Sequence, residues 1–268
     1  NDTTPALSGS VNDASASISV TVGGKTYGAA NNGTTWTLAN NTISPALGQG
    51  PFNVSVTATD ATGNIGSDGT TNELTIDITA PTVTVLSQIT NDTTPAITGT
   101  VNDTSATLSL TVGGQTRTPT NNGNGTWTLP NNSLSPLSSI THSVLVTATD
   151  AAGNVATDST SGELVVDTTA PVITVTTLAS PTNDNTPPLS GTVNDASAVI
   201  SIAVGGQTRT ATNNGTTWTL ANGALSVLAD NTYNVVASAT DAAGNVGTDS
   251  SSSELTVDTS SPTVTITP

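Results

Sequence analysis

Internal repetition constrains this chain more than any other feature, because a unit of 90 to 92 residues occurs three times. Three marker strings define the copies: N-D-T-T-P-A or N-D-N-T-P-P at 1–6, 91–96 and 183–188, T-W-T-L at 35–38, 126–129 and 217–220, and A-T-D-A-x-G-N at 58–64, 148–154 and 239–245. Self-similarity at a fixed spacing indicates an array of equivalent structural units. The spacing equals the length of one small β-sandwich domain.

Within each copy, apolar and polar residues alternate with a period of two, which is typical of half-buried strands. In the second copy the predicted inward-facing residues are Val83, Val85, Ile97, Gly99, Val101, Leu108, Leu110, Val112, Trp127, Leu129, Val144, Val146, Ala148, Leu164 and Val166. Turn signals separate about seven such segments, and Gly153–Asn154 predicts a hairpin between the last two. We therefore predict an all-β fold of tandem immunoglobulin-like β-sandwich domains in an extended rod.

The string D-x-x-x-P, which ends each copy, sets the expected domain boundaries. The strand that follows each proline opens the next domain, so the first copy lacks its first strand. We expect one repeat over 1–80, a second over 81–170, a third over 171–261, and the first strand of a following repeat over 262–268. The chain then resembles a segment of a longer, monomeric array whose partners are its own neighbouring repeats.

Composition excludes several functional classes. The formal charge is −16, with three basic residues among 268, so phosphate contacts with nucleic acid or an anionic membrane surface are not expected. No apolar run approaches the roughly 20 residues that span a bilayer, and direct membrane insertion is not expected. With no cysteine and one histidine, the chain cannot form disulfides, and transition-metal sites or histidine-based catalytic triads are not expected. Identical carboxylates in every copy are also unlike an active site, and we expect no enzymatic activity.

The acidic residues are concentrated at equivalent positions. Eighteen of the nineteen occupy six positions that are filled in all three copies; only Asp230 is extra. The positions are Asp2/Asp92/Asp184, Asp13/Asp103/Asp195, Asp60/Asp150/Asp241, Asp68/Asp158/Asp249, Glu73/Glu163/Glu254 and Asp77/Asp167/Asp258.

Sandwich topology predicts which of these carboxylates meet. The second-to-third and sixth-to-seventh strand loops lie at the end of a domain where its first strand enters, and the linker aspartate reaches that end from the preceding domain. The first-to-second strand loop lies at the opposite end. The first junction should therefore gather Asp2, Asp77, Asp103 and Asp150, and the second should gather Asp92, Asp167, Asp195 and Asp241. The equivalent aspartates at the outer ends of the first and third repeats, which would face further neighbouring repeats, are Asp13, Asp60, Asp184 and Asp258.

Converging carboxylates without a nearby Lys or Arg repel one another. A hard cation with six to eight oxygen ligands relieves that repulsion, and Ca²⁺ suits flexible loop ligands better than Mg²⁺. We predict Ca²⁺ at each junction. The alternative is that each aspartate only caps backbone groups of its own turn.

Other polar and aromatic residues have simpler interpretations. Trp36, Trp127 and Trp218 are predicted core residues rather than sugar-stacking platforms. Lys25, Arg117 and Arg209 lie just after the V-G-G string of their copies, where they either pair with an acidic neighbour or are exposed. His142 is expected at the surface. Asp158 and Glu163 lie along the predicted last strand, away from the junction, and are expected to be solvated.

The strings V-D-T-T-A-P, A-T-D-A-A-G-N, V-N-D-A-S and N-G-T-W-T-L resemble the bacterial Ig-like repeats of very large surface adhesins, often called RTX adhesins. The resemblance covers essentially the whole chain, although the RTX nonapeptide G-G-x-G-x-D is absent from it. It implies export by the type I pathway, a location at the surface of a Gram-negative cell, and a Ca²⁺-stiffened extender that projects a distal adhesive domain for cell adhesion or biofilm formation.

Two alternatives remain open. One is a binding module whose loops recognise a glycan or a protein, and the other is an accessory Ig-like array of a secreted carbohydrate-active enzyme. The similarity of the loops across the copies favours the extender, because a dedicated recognition site would make one copy differ.

Overall fold

The computed structural model describes residues 1–158, 160–177, 181–249 and 251–266. Its elements are all strands, as predicted, and no helix among these residues is long and apolar enough to cross a membrane. The strands of the first repeat are β1 (Leu7–Ser10), β2 (Ser17–Val22), β3 (Lys25–Asn31), β4 (Thr35–Leu38), β5 (Gly50–Phe52), β6 (Ser55–Thr59), β7 (Ile65–Asp68) and β8 (Leu74–Ile76).

The second and third repeats contain counterparts of these strands, some of them interrupted, and each begins with a further strand. The second has β9 (Val83–Val85), β10 (Gln88–Thr90), β11 (Ile97–Val101), β12 (Thr107–Val112), β13 (Gln115–Arg117), β14 (Thr120–Asn121), β15 (Thr126–Leu129), β16 (Thr141–His142), β17 (Leu145–Thr149), β18 (Val155–Thr157) and β19 (Leu164–Val166). The third has β20 (Ile173–Val175), β21 (Leu189–Val193), β22 (Val199–Val204), β23 (Gln207–Asn213), β24 (Thr217–Leu220), β25 (Asn231–Tyr233), β26 (Val236–Thr240), β27 (Val246–Asp249) and β28 (Leu255–Val257).

Two main sheets face each other in the second repeat, in the orders β14-β15-β11-β9 and β13-β12-β17-β18. A small third sheet, β10-β19-β16, closes one end and contains a parallel pair between β10 and β19. In the first and third repeats one long strand, β3 or β23, runs through both main sheets and joins them. The two-residue turn between β12 and β13 uses Gly113 and Gly114 at φ 55° and 74°, values that favour glycine and suit a tight hairpin.

The alternation pattern is confirmed, because all the predicted inward-facing apolar side chains of the second repeat are buried in one cluster. Equivalent clusters fill the other two repeats. The three tryptophans are core residues, with Trp127 and Trp218 fully buried and Trp36 7% exposed. The indole N–H of Trp127 donates to the Thr84 carbonyl at 3.0 Å. Each tryptophan therefore anchors its sandwich instead of offering a stacking surface.

The predicted last strand is interrupted, and this corrects the expectation for Asp158 and Glu163. The Gly153–Asn154 hairpin forms, but it joins β17 to β18, after which the chain crosses to the small sheet as β19. Asp158 and Glu163 lie at this crossing, where they are 7% and 4% exposed rather than solvated. They accept backbone N–H groups that the strand ladders leave unpaired, from Val85 at 2.6 Å and Val144 at 3.0 Å.

The expectation for His142 was also wrong, because its side chain on β16 is 8% exposed. Its Nε2 lies 2.9 Å from the Ser138 carbonyl oxygen, which gives the buried ring a polar partner. Of the two predicted outcomes, exposure holds for Lys25, whereas Arg117 and Arg209 are half-buried, and among the described residues none of the three pairs with an acidic side chain. Instead, Lys25 donates to the Ser44 carbonyl, Arg117 to Ser133, and Arg209 to Ala224, so these cations fasten one loop of each repeat.

Only the second and third repeats contain a first strand among the described residues. β9 pairs with β11, and β20 with β21, whereas the first repeat begins at β1, the counterpart of β11. Residues 262–266 carry the sequence of a first strand but are exposed and unpaired in the described structure. Thr267 and Pro268 lie outside the described residues, and the domain boundaries themselves stay a prediction.

Candidate functional site at the repeat junctions

The loops expected at each junction do meet there. In the second repeat, the first strand enters beside Asn102, whose Oδ1 accepts the Thr82 N–H at 2.7 Å. The same end of the sandwich carries the loop with Asp103 and the loop from Asp150 to Asn154. At the opposite end, the N–H of Asp167 donates to the Thr90 carbonyl, which places the chain exit beside the loop that begins at Asn91.

The first junction is held by hydrogen bonds between the two neighbouring repeats. The backbone nitrogen of Asn1 donates to the Ala152 carbonyl at 2.8 Å, and its side-chain amide donates to the Gly153 carbonyl at 2.9 Å. In the other direction, Asn154 Nδ2 donates to the Asp77 carbonyl at 3.0 Å. The A-G-N turn of one repeat thus contacts both the first loop and the linker of the repeat before it.

The second junction repeats this arrangement with the next set of residues. The Asn91 N–H donates to the Ala243 carbonyl at 3.0 Å, and Asn245 Nδ2 donates to the Asp167 carbonyl at 2.7 Å. Asn154 and Asn245 are 8% and 9% exposed, so these bonds are protected from water. Neighbouring repeats of the same chain are therefore direct partners, as predicted.

The candidate carboxylates at these loops are engaged by donors of their own turns. At the linker, Asp77 Oδ1 accepts the Thr79 N–H at 3.0 Å, and Asp167 Oδ1 accepts the Thr169 N–H at 2.9 Å. The same i to i+2 bond is made by Asp2, Asp13, Asp60, Asp92, Asp103, Asp184, Asp195 and Asp258. Asp150 and Asp241 instead accept the N–H and the side-chain amide of Asn154 and Asn245. Such turns are a local alternative to any longer-range role for an aspartate.

Hydrogen bonding shifts the pKa of several of these groups downward. The Ser105 hydroxyl lowers the pKa of Asp103, while the nearby charge of Asp150 acts in the opposite direction. The Asn154 side chain lowers the pKa of Asp150. At the second junction, burial raises the pKa of Asp241, but the bonds from Asn245 outweigh it and the pKa is lowered. These carboxylates are therefore ionised at neutral pH even where two of them repel each other.

The donor set suits a hard cation, but the side chains are not arranged as a metal site. Carboxylate, amide and carbonyl oxygens surround each junction, and these are the ligands that Ca²⁺ takes. Nevertheless, among the described residues no group of three or more His, Cys, Asp or Glu side chains is placed to hold one ion. Each carboxylate would have to exchange its turn hydrogen bond for the ion, as exposed or half-buried side chains can do by rotamer changes.

Sequence reasoning did not single out the asparagine that holds the Asp103 loop. Asn121 Nδ2 donates to the Asp103 carbonyl at 2.9 Å and the Ala106 carbonyl at 3.0 Å, and Asn31 and Asn213 make the same pair of bonds in their own repeats. The signal was present in the sequence, because an asparagine lies nine residues after the valine of V-G-G in all three copies. These residues shape the loop that carries a candidate carboxylate.

Comparison with known proteins identifies the fold family. The family described as bacterial Ig-like domain matches residues 1–78, 82–168 and 177–259, which is most of the chain. No curated protein sequence matches it.

Solved structures to which the chain is similar include large adhesins. One is a 1.5-MDa bacterial ice-binding adhesin, at 25% identity over 94% of this chain and 91% of that chain, with a TM-score of 0.42. Another is a Ca²⁺-stabilized ice-binding adhesin of an Antarctic bacterium, at 24% identity over 94% and 68%, with a TM-score of 0.44. A third is a tetra-tandem repeat in the extending region of a large adhesion protein, at 25% identity over 96% and 71%, with a TM-score of 0.34.

Proposed function

The chain belongs to the bacterial Ig-like domain family, and from this premise we propose that it is a structural extender segment of a bacterial surface adhesin. The observation that carries the proposal is the repetition of the inter-repeat contacts. The same two bonds, from an asparagine N–H to an alanine carbonyl and from an asparagine amide to the linker aspartate carbonyl, occur at both junctions.

Equivalent contacts at successive junctions would hold successive repeats at similar angles. A module that recognises a ligand needs one distinctive surface, whereas a spacer needs each joint to resemble the previous one. The two junctions here share two bonds between equivalent residues, which supports a spacer. In this proposal the segment projects a distal adhesive domain, for cell adhesion or biofilm formation, from the surface of a Gram-negative cell.

Calcium at the junctions is the second part of the proposal. Its ligands would come from Asp2, Asp77, Asp103 and Asp150 at the first junction and Asp92, Asp167, Asp195 and Asp241 at the second. Asp13, Asp60, Asp184 and Asp258 would serve joints with outer neighbours. The ion would neutralise carboxylates that no Lys or Arg pairs with in the described structure. It would also add binding free energy to folding, because the unfolded chain holds no such site.

This role agrees with export through the type I pathway, which we propose on the resemblance of the repeats. In calcium-poor cytosol the joints would stay loose and the chain could be threaded outward. Outside the cell, calcium would stiffen the joints and stabilise the small sandwiches.

The test combines small-angle scattering with thermal melting, in millimolar Ca²⁺ and after exchange into EDTA. We expect chelation to lower the melting temperature by several degrees and to broaden the distribution of maximum dimensions. Asp167→Ala should reproduce the broadening at the second junction even in calcium. The matched control is Asp258→Ala, which removes the equivalent aspartate where the described structure contains no following repeat. Identical melting and scattering with and without EDTA would exclude calcium from the joints.

A further inference from the structure

Two carboxylates of the second repeat are buried at a place that the junctions do not use. Asp158 and Glu163 are 7% and 4% exposed, and both lie where the chain crosses from β18 to β19. Their counterparts in the third repeat, Asp249 and Glu254, lie at the crossing from β27 to β28, and Glu254 is 2% exposed. A buried carboxylate needs a compensating partner, so the atoms around each pair decide what it can hold.

Backbone N–H groups satisfy only part of the pair in the second repeat. Asp158 Oδ2 accepts the Val85 N–H at 2.6 Å, and Glu163 Oε2 accepts the Val144 N–H at 3.0 Å. Asp158 Oδ1 accepts the N–H and the hydroxyl of Thr160 at 2.9 Å and 2.7 Å. Among the described residues, Glu163 Oε1 is buried and has no hydrogen-bond partner.

A single hydroxyl lies near both carboxylates. The Thr160 hydroxyl donates to Asp158, and it is also close enough to Glu163 to help hold the pKa of that carboxyl down, while the charge of Asp158 acts in the opposite direction. A hydroxyl has one proton and two lone pairs, so it can donate to one carboxylate at a time. The other carboxylate then faces acceptor oxygens, which is the environment that a cation requires.

The third repeat builds the same cluster with a different hydroxyl residue. Asp249 Oδ1 accepts the Ser251 N–H at 2.9 Å, and Glu254 Oε2 accepts the Val235 N–H at 2.9 Å. The Ser251 hydroxyl lowers the pKa of both carboxyls, and Glu254 Oε1 is again buried without a partner among the described residues. Serine in place of Thr160 keeps the hydroxyl oxygen and loses only a methyl group. The feature that the two repeats share is therefore a set of oxygen atoms.

No basic side chain balances these pairs among the described residues. The one lysine and the two arginines donate to loop carbonyls elsewhere in their repeats. His142 pairs with the residue after Glu163, but Tyr233 takes that position in the third repeat, where Glu254 is just as buried. A histidine is therefore not the counter-ion that the two repeats have in common.

We propose that each cluster holds a Ca²⁺ ion inside its own repeat, through two carboxylates and one hydroxyl oxygen. The residues are Asp158, Thr160 and Glu163 in the second repeat and Asp249, Ser251 and Glu254 in the third. Two carboxylates balance the charge of a divalent cation, and Ca²⁺ takes an irregular set of oxygen ligands that includes water. The loop residues beside each cluster are exposed, so water reaches the ion and completes its coordination.

This internal site is independent of the junction ions, because it uses none of the carboxylates proposed for them. Its position gives it a distinct mechanical role. Asp158 bonds to Val85 of β9, the strand by which the chain enters the repeat, and Glu163 immediately precedes β19, the strand by which the chain leaves it. An ion shared by the two carboxylates therefore clamps the entry strand to the exit strand.

The neighbouring tryptophan provides an optical measurement of this site. The Thr84 carbonyl accepts the Trp127 indole N–H at 3.0 Å, and the next residue, Val85, donates to Asp158. The indole is thus one strand residue away from the cluster. Tb³⁺ binds to Ca²⁺ sites and emits strongly when a nearby indole transfers energy to it.

The first experiment titrates the calcium-free 268-residue chain with Tb³⁺ under tryptophan excitation. We expect saturable emission that Ca²⁺ competes away. Glu163→Gln/Glu254→Gln retains an acceptor oxygen for each backbone N–H but removes the charge, and it should lower the emission at least fivefold. Asp230→Asn, at an exposed carboxylate outside both kinds of site, is the matched control and should emit like the original chain. The absence of indole-sensitised emission would overturn the proposal.

A junction variant separates the internal ions from those proposed between repeats. If Asp103→Asn/Asp195→Asn abolished the emission and Glu163→Gln/Glu254→Gln did not, the signal would belong to the junctions and the internal site would be wrong. If the emission depended on the glutamates while EDTA left the small-angle scattering unchanged, the internal site would stand and calcium at the junctions would be excluded.

The second experiment locates the ion by hydrogen exchange. In the original chain, Ca²⁺ should slow exchange of the Val85 and Val144 amides at least threefold relative to EDTA, beyond any change in β12, which carries no residue of the cluster. Glu163→Gln should remove this slowing, and equal protection of the two proteins in EDTA would show that the variant is folded. Equal slowing by Ca²⁺ in both proteins would refute the site.

Discussion

Glu163 shows how a carboxylate can accept a backbone N–H at a point where the chain passes from one sheet to another. Its Oε2 accepts the N–H of Val144, at the point where β16 gives way to β17 and the sheet supplies no partner. Glu254 does the same for Val235 at 2.9 Å in the third repeat. Among the described residues, Oε1 of each glutamate is buried without a hydrogen-bond partner. The side chain thus replaces a missing ladder bond at the cost of burying one unpaired oxygen.

Replacement of this glutamate should destabilise the second repeat. Glu163→Ala leaves the buried Val144 N–H unpaired, which costs about 1–3 kcal/mol. Glu73→Ala is the matched control, because Glu73 accepts the Val54 N–H at 2.9 Å but is solvent-exposed, so water can replace it. Hydrogen exchange followed by mass spectrometry should show faster exchange around Val144 in the first variant and a much smaller change around Val54 in the second. Equal changes would contradict the role of burial.

The same buried carboxylates should make stability depend on pH. Burial alone would raise the pKa of Asp158 and of Glu163, but the nearby Thr160 hydroxyl and the backbone N–H groups that the carboxylates accept outweigh it, so both pKa values are lowered from 3.8 and 4.5. Because the folded pKa values are depressed, their stabilisation is complete above about pH 4.5. It is lost as the pH falls through the lower, folded values.

In EDTA, the melting temperature of the second repeat should therefore change little from pH 7 to 5 and fall below about pH 4. The double variant Asp158→Asn/Glu163→Gln should melt at a lower temperature at pH 7 and show a shallower fall on acidification. Calorimetric melts of both proteins between pH 2.5 and 7 measure the difference. Parallel pH profiles would assign the acid sensitivity to other carboxylates.

At the scale of strands, the contact between the first strand and the tryptophan depends on a glycine. A Cβ atom on Gly99 would collide with the Thr84 carbonyl of β9 and would lie 2.6 Å from the Trp127 ring. On Gly9 it would meet the Trp36 ring, at 2.7 Å, and among the described residues no strand pairs with the outer edge of β1. In the second repeat, both the strand contact and the indole contact therefore require a glycine. In the first repeat, only the indole contact does.

Gly99→Ala should displace β9 as well as the indole and destabilise the second repeat by about 1–3 kcal/mol, the usual range for overpacking. Gly9→Ala should cost the first repeat less, because the added methyl group meets only a side chain, which can shift, and not a backbone carbonyl. Urea unfolding monitored by repeat-resolved hydrogen exchange compares the two substitutions. A larger loss for Gly9→Ala would show that the indole contact, and not the strand contact, dominates.

The sequence predicted the strands well because their signal is local. Val144, Val146 and Ala148 alternate with polar residues, and two-residue periodicity alone places them inside. The break after Thr157 could not be predicted in the same way. Asp158 is buried because it bonds to Val85, a residue 73 positions earlier, and such a contact leaves no periodic trace. A polar stretch between two apolar segments is equally consistent with a solvated edge.

The junctions were predictable to the level of loops but not of side chains. Sandwich connectivity fixes that the loops of Asp103 and Asp150 share one end of the domain, and Asn154 does contact the Asp77 carbonyl there. Where a carboxylate points is decided by competition among nearby donors. In this structure Asp103 accepts from Ser105, two residues away, and Asp150 accepts from Asn154, four residues away. Sequence spacing alone cannot rank such local turns against a shared ion.

At the scale of the whole chain, the joint between repeats has a part that needs no ion. Asn245 Nδ2 donates both to the Asp167 carbonyl of the preceding repeat, at 2.7 Å, and to Asp241 of its own loop, at 2.8 Å. The Asn245 amide is buried and donates to acceptors in both repeats, so its loss removes a direct hydrogen bond between the domains. Asn64, the equivalent residue of the first repeat, has its side-chain bonds to described residues within its own loop, to Asp60 and Thr62.

Asn245→Ala should therefore loosen the second junction in calcium and in EDTA alike, whereas Asn64→Ala should leave both junctions unchanged. Spin labels on single cysteines introduced at the exposed positions Thr98 and Ser190 would report the distance between the second and third repeats. We expect Asn245→Ala to broaden the distance distribution at least twofold while the melting temperature of the third repeat shifts by only a few degrees. If the distribution broadened only after chelation, the amide bond would contribute nothing by itself and the ion would carry the joint. If it broadened equally in Asn64→Ala, whose loop lies at neither junction, the broadening could not be assigned to loss of the Asn245–Asp167 bond.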